Sequence, residues 1–99
     1  MRIEYRDATL RALAQDPVFS SAQWHPDLVR NCRKKIQMVA AAMDERDLRE
    51  VRSLRFKQLH GQRAGTYSIR LNDQFRLIVA LQGEGDDRAV VLLEMVDYH

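Results

Sequence analysis

The 99-residue sequence has a single cysteine, Cys32, and no apolar run of the roughly 18 residues that a membrane-spanning helix needs. One cysteine excludes an internal disulfide and any zinc site built from several cysteines. The N-terminal stretch from Arg2 to Arg6 carries charges where a signal peptide has its apolar segment. We therefore expect a cytoplasmic protein with no membrane partner.

Recognisable enzyme motifs are also scarce. The sequence has only four glycines, none of them arranged as a phosphate-binding loop, and no pair of carboxylates at a spacing that suggests hydrolysis. Its length and its 45% hydrophobic content predict one globular domain over residues 1–99, without repeats or linkers. Because so small a domain has little interior for a deep pocket, we expect any chemistry on a face or in a shallow cleft. No cofactor is expected.

The distribution of charge is more informative than the net charge of +2. Between Arg52 and Arg76 only Asp73 is acidic, and the basic residues there are Arg52, Arg55, Lys57, Arg63, Arg70 and Arg76. From Leu77 onward the balance reverses, with five acidic residues against Arg88. Clustered arginine beside aromatic residues suits a phosphate backbone, although a basic run is more often a solvated surface.

The first quarter of the chain predicts a strand, a helix and a loop. Residues 3–5 alternate apolar and charged side chains, which indicates a short strand. Asp7 is a suitable N-cap for the helix that follows, and Pro17 marks its end. Residues 17–25 contain turn formers and are predicted as a loop.

A long helix is the clearest element of the sequence. Pro26 suits its first turn, and residues 44–51 predict one more short helix after it. Cys32 falls on the apolar face, so we expect a core residue and not a nucleophile. The residues at helical spacing on this face are Leu28, Cys32, Ile36, Val39, Ala40 and Met43.

After residue 55 the period of the apolar residues changes to that of strands. Strands are predicted over residues 56–60, 66–71, 75–81 and 88–96, separated by turn-forming residues. Helices followed by consecutive strands predict an α+β domain with a largely antiparallel sheet.

The central hairpin has a predictable register. Burying the apolar sides of both strands pairs Leu71 with Phe75 and leaves residues 72–74 as a three-residue loop. The same register places Arg70 directly opposite Arg76, and like charges in that position destabilise a sheet. Either a bound anion offsets the repulsion or both side chains splay into water.

Residues 59–76, from Leu59-His60-Gly61 to Gln74-Phe75-Arg76, resemble the signature of HigB-type toxins of the RelE superfamily, the plasmid maintenance killer family. The ending Met95-Val96-Asp97-Tyr98-His99 and the opening Tyr5-Arg6-Asp7 resemble it too. The sequence departs from the family pattern at Phe75, where tryptophan is common, at His60, where lysine is frequent, and in the aliphatic stretch 77–81.

This resemblance implies a RelE-like fold, with N-terminal helices on one face of a mostly antiparallel sheet of four to five strands. It implies a toxin that cleaves messenger RNA in the decoding site of the small ribosomal subunit, without a metal. The implied partner is a HigA-like helix-turn-helix antitoxin, through which alone operator DNA is bound. The alternative is a non-catalytic module of the same fold that binds RNA or protein.

In the implied reaction the ribose 2′-hydroxyl attacks the adjacent phosphorus, which requires an acid, a base and neutralisation of the phosphorane. His99 or His60 is a candidate acid or base, because imidazole titrates near neutral pH. Tyr98 can donate a proton or stack on a base. Arg70 and Arg76 are the first choice for stabilising charge.

Four further residues are expected to contact RNA around these groups. Lys57 and Arg63 are candidates for holding flanking phosphates, and Asn72 for orienting a phosphate or sugar oxygen. Asp97 is included with them, with the alternative that it positions the last turn of the chain or pairs with an arginine.

Overall fold

The computed structural model describes residues 1–97, so Tyr98 and His99 lie outside the described residues. Single 3-10 turns occur at Arg52–Leu54, Gly61–Arg63 and Gly85–Asp87. The helices and strands, in chain order, are β1 (Arg2–Tyr5), α1 (Ala8–Gln15), α2 (Pro26–Ala41), α3 (Glu45–Glu50), β2 (Lys57–Gln58), β3 (Tyr67–Arg70), β4 (Phe75–Gln82) and β5 (Ala89–Asp97).

The strands form one five-stranded sheet in the order β1-β5-β4-β3-β2. Strands β2 to β5 pair antiparallel with their neighbours, as short connections allow. Strand β1 pairs parallel with β5. Parallel strands need a long crossover connection, and the helices that follow β1 in sequence provide it. The expectation of an α+β domain with a mostly antiparallel sheet is confirmed.

The predicted helix starts are confirmed by their capping contacts. Asp7 caps α1, since its Oδ1 accepts a hydrogen bond from the backbone N–H of Leu10 at 2.9 Å. Pro26 occupies the first turn of α2, and His25 Nδ1 accepts from the Asp27 N–H at 3.0 Å. His25 is therefore a helix-capping residue.

The hydrophobic core lies between the helices and one face of the sheet. Cys32 is fully buried in it, and burial raises the pKa of its thiol to about 12, so the thiol stays protonated and is not a nucleophile. The core residues of α1 and α2 include Leu10, Leu13, Leu28, Cys32, Ile36 and Val39, and those of the sheet include Ile69, Leu71, Leu77, Val79, Val90 and Leu92.

Three sequence-based expectations at the ends of elements were wrong. Helix α2 ends at Ala41, so Met43 lies beyond it and its side chain is 85% exposed instead of packed. Ala40 also faces solvent, because the buried stripe runs through Ile36 and Val39 and stops there. The predicted strand 56–60 is shortened to β2, with one further ladder bond from the Leu59 N–H to Thr66 O at 2.9 Å.

Candidate functional site

The face of the sheet away from the helices carries a group of basic side chains. Strand residues alternate between faces, so burial of Ile69 and Leu77 against the helices turns Ser68, Arg70 and Arg76 to the other side. We call this side the cleft face and include Lys57, which pairs directly with Ser68. The register confirms the predicted hairpin, with Arg70 opposite Arg76 and Ile69 opposite Leu77.

An open cleft of about 370 Å³ lies on this face, where β2, β3 and β4 meet. Three of the five residues that line it are basic, and none is acidic. Such a lining favours an anion, and guanidinium and ammonium groups together are the usual protein contacts of a phosphate backbone. The lining residues are Arg55, Phe56, Lys57, Ser68 and Arg76.

Sequence reasoning counted Arg55 in the basic segment but did not select it for the site. Its backbone is left-handed (φ 44°, ψ 51°), the only positive φ at a non-glycine residue in the described part of the chain. The turn Arg52–Leu54 ends there, with the Arg55 N–H donating to Arg52 O at 3.1 Å. Strained backbone of this kind costs about 1–3 kcal/mol and is concentrated at functional sites.

Phe56 is a lining residue of the cleft whose ring packs against the core. Its ring stacks on Tyr67 with 4.8 Å between centroids and 11° between planes. The guanidinium of Arg49, from α3, lies 5.6 Å from the Phe56 centroid, within cation–π range. Helix α3 and strand β3 together therefore hold the position of Phe56.

The hairpin loop supplies partners for the two opposed arginines. Arg70 forms an ion pair with Asp73, and Arg76 Nη1 donates to the backbone carbonyl of Asn72 at 2.7 Å. Asn72 Oδ1 in turn accepts from the N–H groups of Gln74 (2.8 Å) and Phe75 (2.7 Å). The protein itself thus reduces the repulsion, so the two side chains do not simply splay into water. The bound anion stays a prediction.

These contacts commit the side-chain oxygen of Asn72 to the loop. We expect Asn72→Ala to lower the free energy of unfolding by about 1–2 kcal/mol, because two backbone donors lose their acceptor. Urea denaturation measures this difference, with Asn72→Asp as the matched control that keeps an acceptor oxygen. Equal losses in both variants would show that the Oδ1 contacts do not stabilise the loop.

Two of the expected site residues do not line the cleft. Arg63 forms an exposed ion pair at 3.4 Å with Glu94, which pairs with Ile78 in the same cross-strand row as Ser68. His60 is exposed and precedes the turn Gly61–Arg63, three residues beyond Lys57, while Arg70 lies two residues beyond Ser68 in the opposite direction. The distance from His60 to the arginine pair is therefore on the order of 15 Å, at about 3.3 Å per residue.

The end of β5 lies beside the arginine pair. Val96 is the direct partner of Arg76, and Asp97 that of Phe75. Asp97 Oδ2 accepts from Gln74 Nε2 at 2.9 Å, so this carboxylate contacts the hairpin loop. Tyr98 and His99, the two remaining expected residues, follow Asp97 in sequence and lie outside the described residues.

The described residues show neither a cluster of metal ligands nor a membrane-spanning helix. Within residues 1–97, no three His, Cys, Asp or Glu side chains are grouped so that they could hold a metal ion. In the same part of the chain, no helix is long and apolar enough to cross a membrane.

Comparison with known proteins connects this architecture to toxins. Residues 4–99 match the family described as the RelE-like toxin of the type II toxin–antitoxin system HigB. The chain is 34% identical over 79 residues to toxin HigB-1 of Vibrio cholerae serotype O1, an alignment that covers 79% of this chain and 81% of that protein.

Two solved structures share the fold at low sequence identity. The YoeB/ParE toxin from Agrobacterium tumefaciens is 14% identical with a TM-score of 0.57, and the alignment covers 100% of both chains. A chain of the YoeB–YefM complex from Staphylococcus aureus is 15% identical with a TM-score of 0.59, covering 100% of this chain and 97% of that one. On the family match and the curated relative, the chain belongs to the HigB family of RelE-like toxins of type II toxin–antitoxin systems.

Proposed function

We propose that this toxin is a ribosome-dependent endoribonuclease that cuts messenger RNA by attack of a ribose 2′-hydroxyl. The observation that carries the proposal is the cationic cleft of Arg55, Lys57 and Arg76, beside which β5 ends. A cleft lined by cations is suited to an RNA backbone, and membership of a toxin family supplies a reason to attack messenger RNA.

In the proposed reaction the 2′-oxygen loses its proton and attacks phosphorus, and the bond from phosphorus to the 5′-oxygen breaks. The products are a 2′,3′-cyclic phosphate and a 5′-hydroxyl that has gained a proton. Negative charge builds on the phosphorane that forms between substrate and products. Arg76, Arg55 and Lys57, which line the cleft, neutralise this charge. These side chains supply the positive charge without a metal ion.

His99 and Tyr98 carry the proton transfers in this proposal. They follow Val96 and Asp97, whose backbone pairs with Arg76 and Phe75, and an imidazole titrates near the working pH. His60, on the order of 15 Å from the arginines by strand geometry, is left out of the reaction. Tyr98 can also hold a splayed base by stacking.

The proposed partners follow from the same function. The substrate is messenger RNA in the decoding site of the 30S subunit, which would make the protein cytoplasmic. A HigA-like helix-turn-helix antitoxin silences the toxin, and operator DNA is bound only through it. A gene for a small helix-turn-helix protein next to the toxin gene would support this pairing.

The test compares messenger RNA in programmed ribosomes with the same RNA free in solution. We expect cutting on the ribosome and a rate on free RNA that is lower by about 100-fold or more, because an open cleft holds free RNA less precisely than the decoding site does. Primer extension measures both rates. Equal cutting of free RNA would contradict ribosome dependence, and RNA binding without cutting in either case would favour the non-catalytic module.

A further inference from the structure

We propose that the Ser68 hydroxyl binds a ribose 2′-hydroxyl of the nucleotide held in the cleft, and so makes the cleft selective for RNA over DNA. The inference rests on the proposed function in that it takes the cleft to be the RNA site. It adds a contact and a basis for selectivity that family membership does not supply.

Ser68 stands out by its burial. It is only 4% exposed, and it is the one buried polar or charged residue in the described part of the chain. It lies in the middle of the sheet, on β3 between β2 and β4, and it is one of the residues that line the cleft. A strand position so enclosed normally takes an apolar or β-branched residue.

The Ser68 hydroxyl has no hydrogen-bond partner among residues 1–97. Its oxygen is not fully closed off, because Arg88 Nε is the one fully buried side-chain nitrogen or oxygen in that part of the chain that lacks a partner. An unpaired hydroxyl that lines a cleft and can be reached from it is available to bond a group that enters the cleft.

The neighbours of Ser68 indicate which group that is. Lys57 lies directly across from it on β2, and Ile78 directly across on β4. The charged oxygens of a phosphate have Arg55, Lys57 and Arg76 to bind. A neutral hydroxyl beside an apolar side chain instead suits a small neutral group that both donates and accepts. In a nucleic-acid backbone this is the 2′-hydroxyl, the group by which proteins distinguish RNA from DNA.

The test measures binding of two labelled oligonucleotides by fluorescence anisotropy at low salt. One is a short RNA and the other is DNA of the same sequence with deoxyuridine in place of uridine. We expect the wild-type chain to prefer the RNA by about 5- to 10-fold, the value of one neutral hydrogen bond. Ser68→Ala should bind both equally, whereas Ser68→Thr, which keeps the hydroxyl, should retain the preference. Ser20→Ala, at an exposed serine of the loop before α2, is the matched control.

Three outcomes would overturn the inference: no preference in the wild type, an unchanged preference in Ser68→Ala, or an equal loss of RNA and DNA affinity in that variant. Thermal unfolding of each variant checks that the fold is intact. Failure of the proposed function is distinguishable, because it is read from cleavage on the ribosome. A wild-type chain that cuts nothing but shows a Ser68-dependent preference for RNA keeps this inference and refutes the nuclease.

Discussion

Replacement of Arg76 by alanine is expected to lower the rate of messenger RNA cleavage on the ribosome by about 100- to 1000-fold, the range for removal of one donor from a transition-state charge site. Arg76 lines the cleft, and the Asn72 carbonyl, 2.7 Å from Nη1, fixes its guanidinium before substrate arrives. Single-turnover cleavage of ribosome-bound messenger RNA measures the effect on the chemical step.

Two controls separate the charge of Arg76 from its other roles. Arg76→Lys keeps the charge but loses the planar fork, so its rate should fall between wild type and alanine. Arg30→Ala removes an exposed arginine of α2 that pairs with Asp27, and it should leave the rate unchanged. The thermal unfolding of each variant must also be measured, because Arg76 donates a hydrogen bond to the hairpin loop and its loss could destabilise the fold. A folded Arg76→Ala variant that cuts at the wild-type rate would refute the assignment.

Loss of the His99 imidazole is expected to lower the cleavage rate by about 100- to 10,000-fold, the contribution of a positioned general acid or base. Deletion of His99 and the substitution His99→Gln should have similar effects, since glutamine can form hydrogen bonds but cannot transfer a proton at neutral pH. The same ribosome assay provides the rates, and growth after induction provides a coarser readout.

His60 provides the matched control for His99, because it is exposed and strand geometry separates it from the arginine pair by on the order of 15 Å. We expect His60→Gln to cut at nearly the wild-type rate. The reverse result, with His60→Gln inactive and His99→Gln active, would show that His60 transfers the proton and would refute the assignment to His99. Tyr98→Phe then distinguishes proton donation, which the variant loses, from stacking, which it keeps.

The sequence predicted those parts of the fold that depend on repeated patterns. Helix α2 has a proline in its first turn and a buried stripe over several turns, so its start was correct, as was its buried face from Leu28 to Val39. The hairpin register was also correct, because a slip of one residue would move Ile69 and Leu77 out of the core. That register alone predicted the arginine pair of the cleft face.

Features that depend on single backbone conformations were not predictable. The end of α2 was misplaced because nothing in the sequence between Val39 and Met43 breaks the helical pattern. The left-handed backbone at Arg55 has no sequence signal either, since such a conformation normally indicates glycine. Ser68 was missed because its burial also depends on β2 pairing with β3, and the sequence pattern predicted a strand over residues 56–60 without its pairing partner.

The chemical groups at the ends of the RNA fragments produced on the ribosome test the central claim most directly, because they report which oxygen attacked phosphorus. The account predicts a 2′,3′-cyclic phosphate on the upstream fragment and a 5′-hydroxyl on the downstream fragment. A 3′-hydroxyl with a 5′-phosphate would mean that water was the nucleophile and would contradict it.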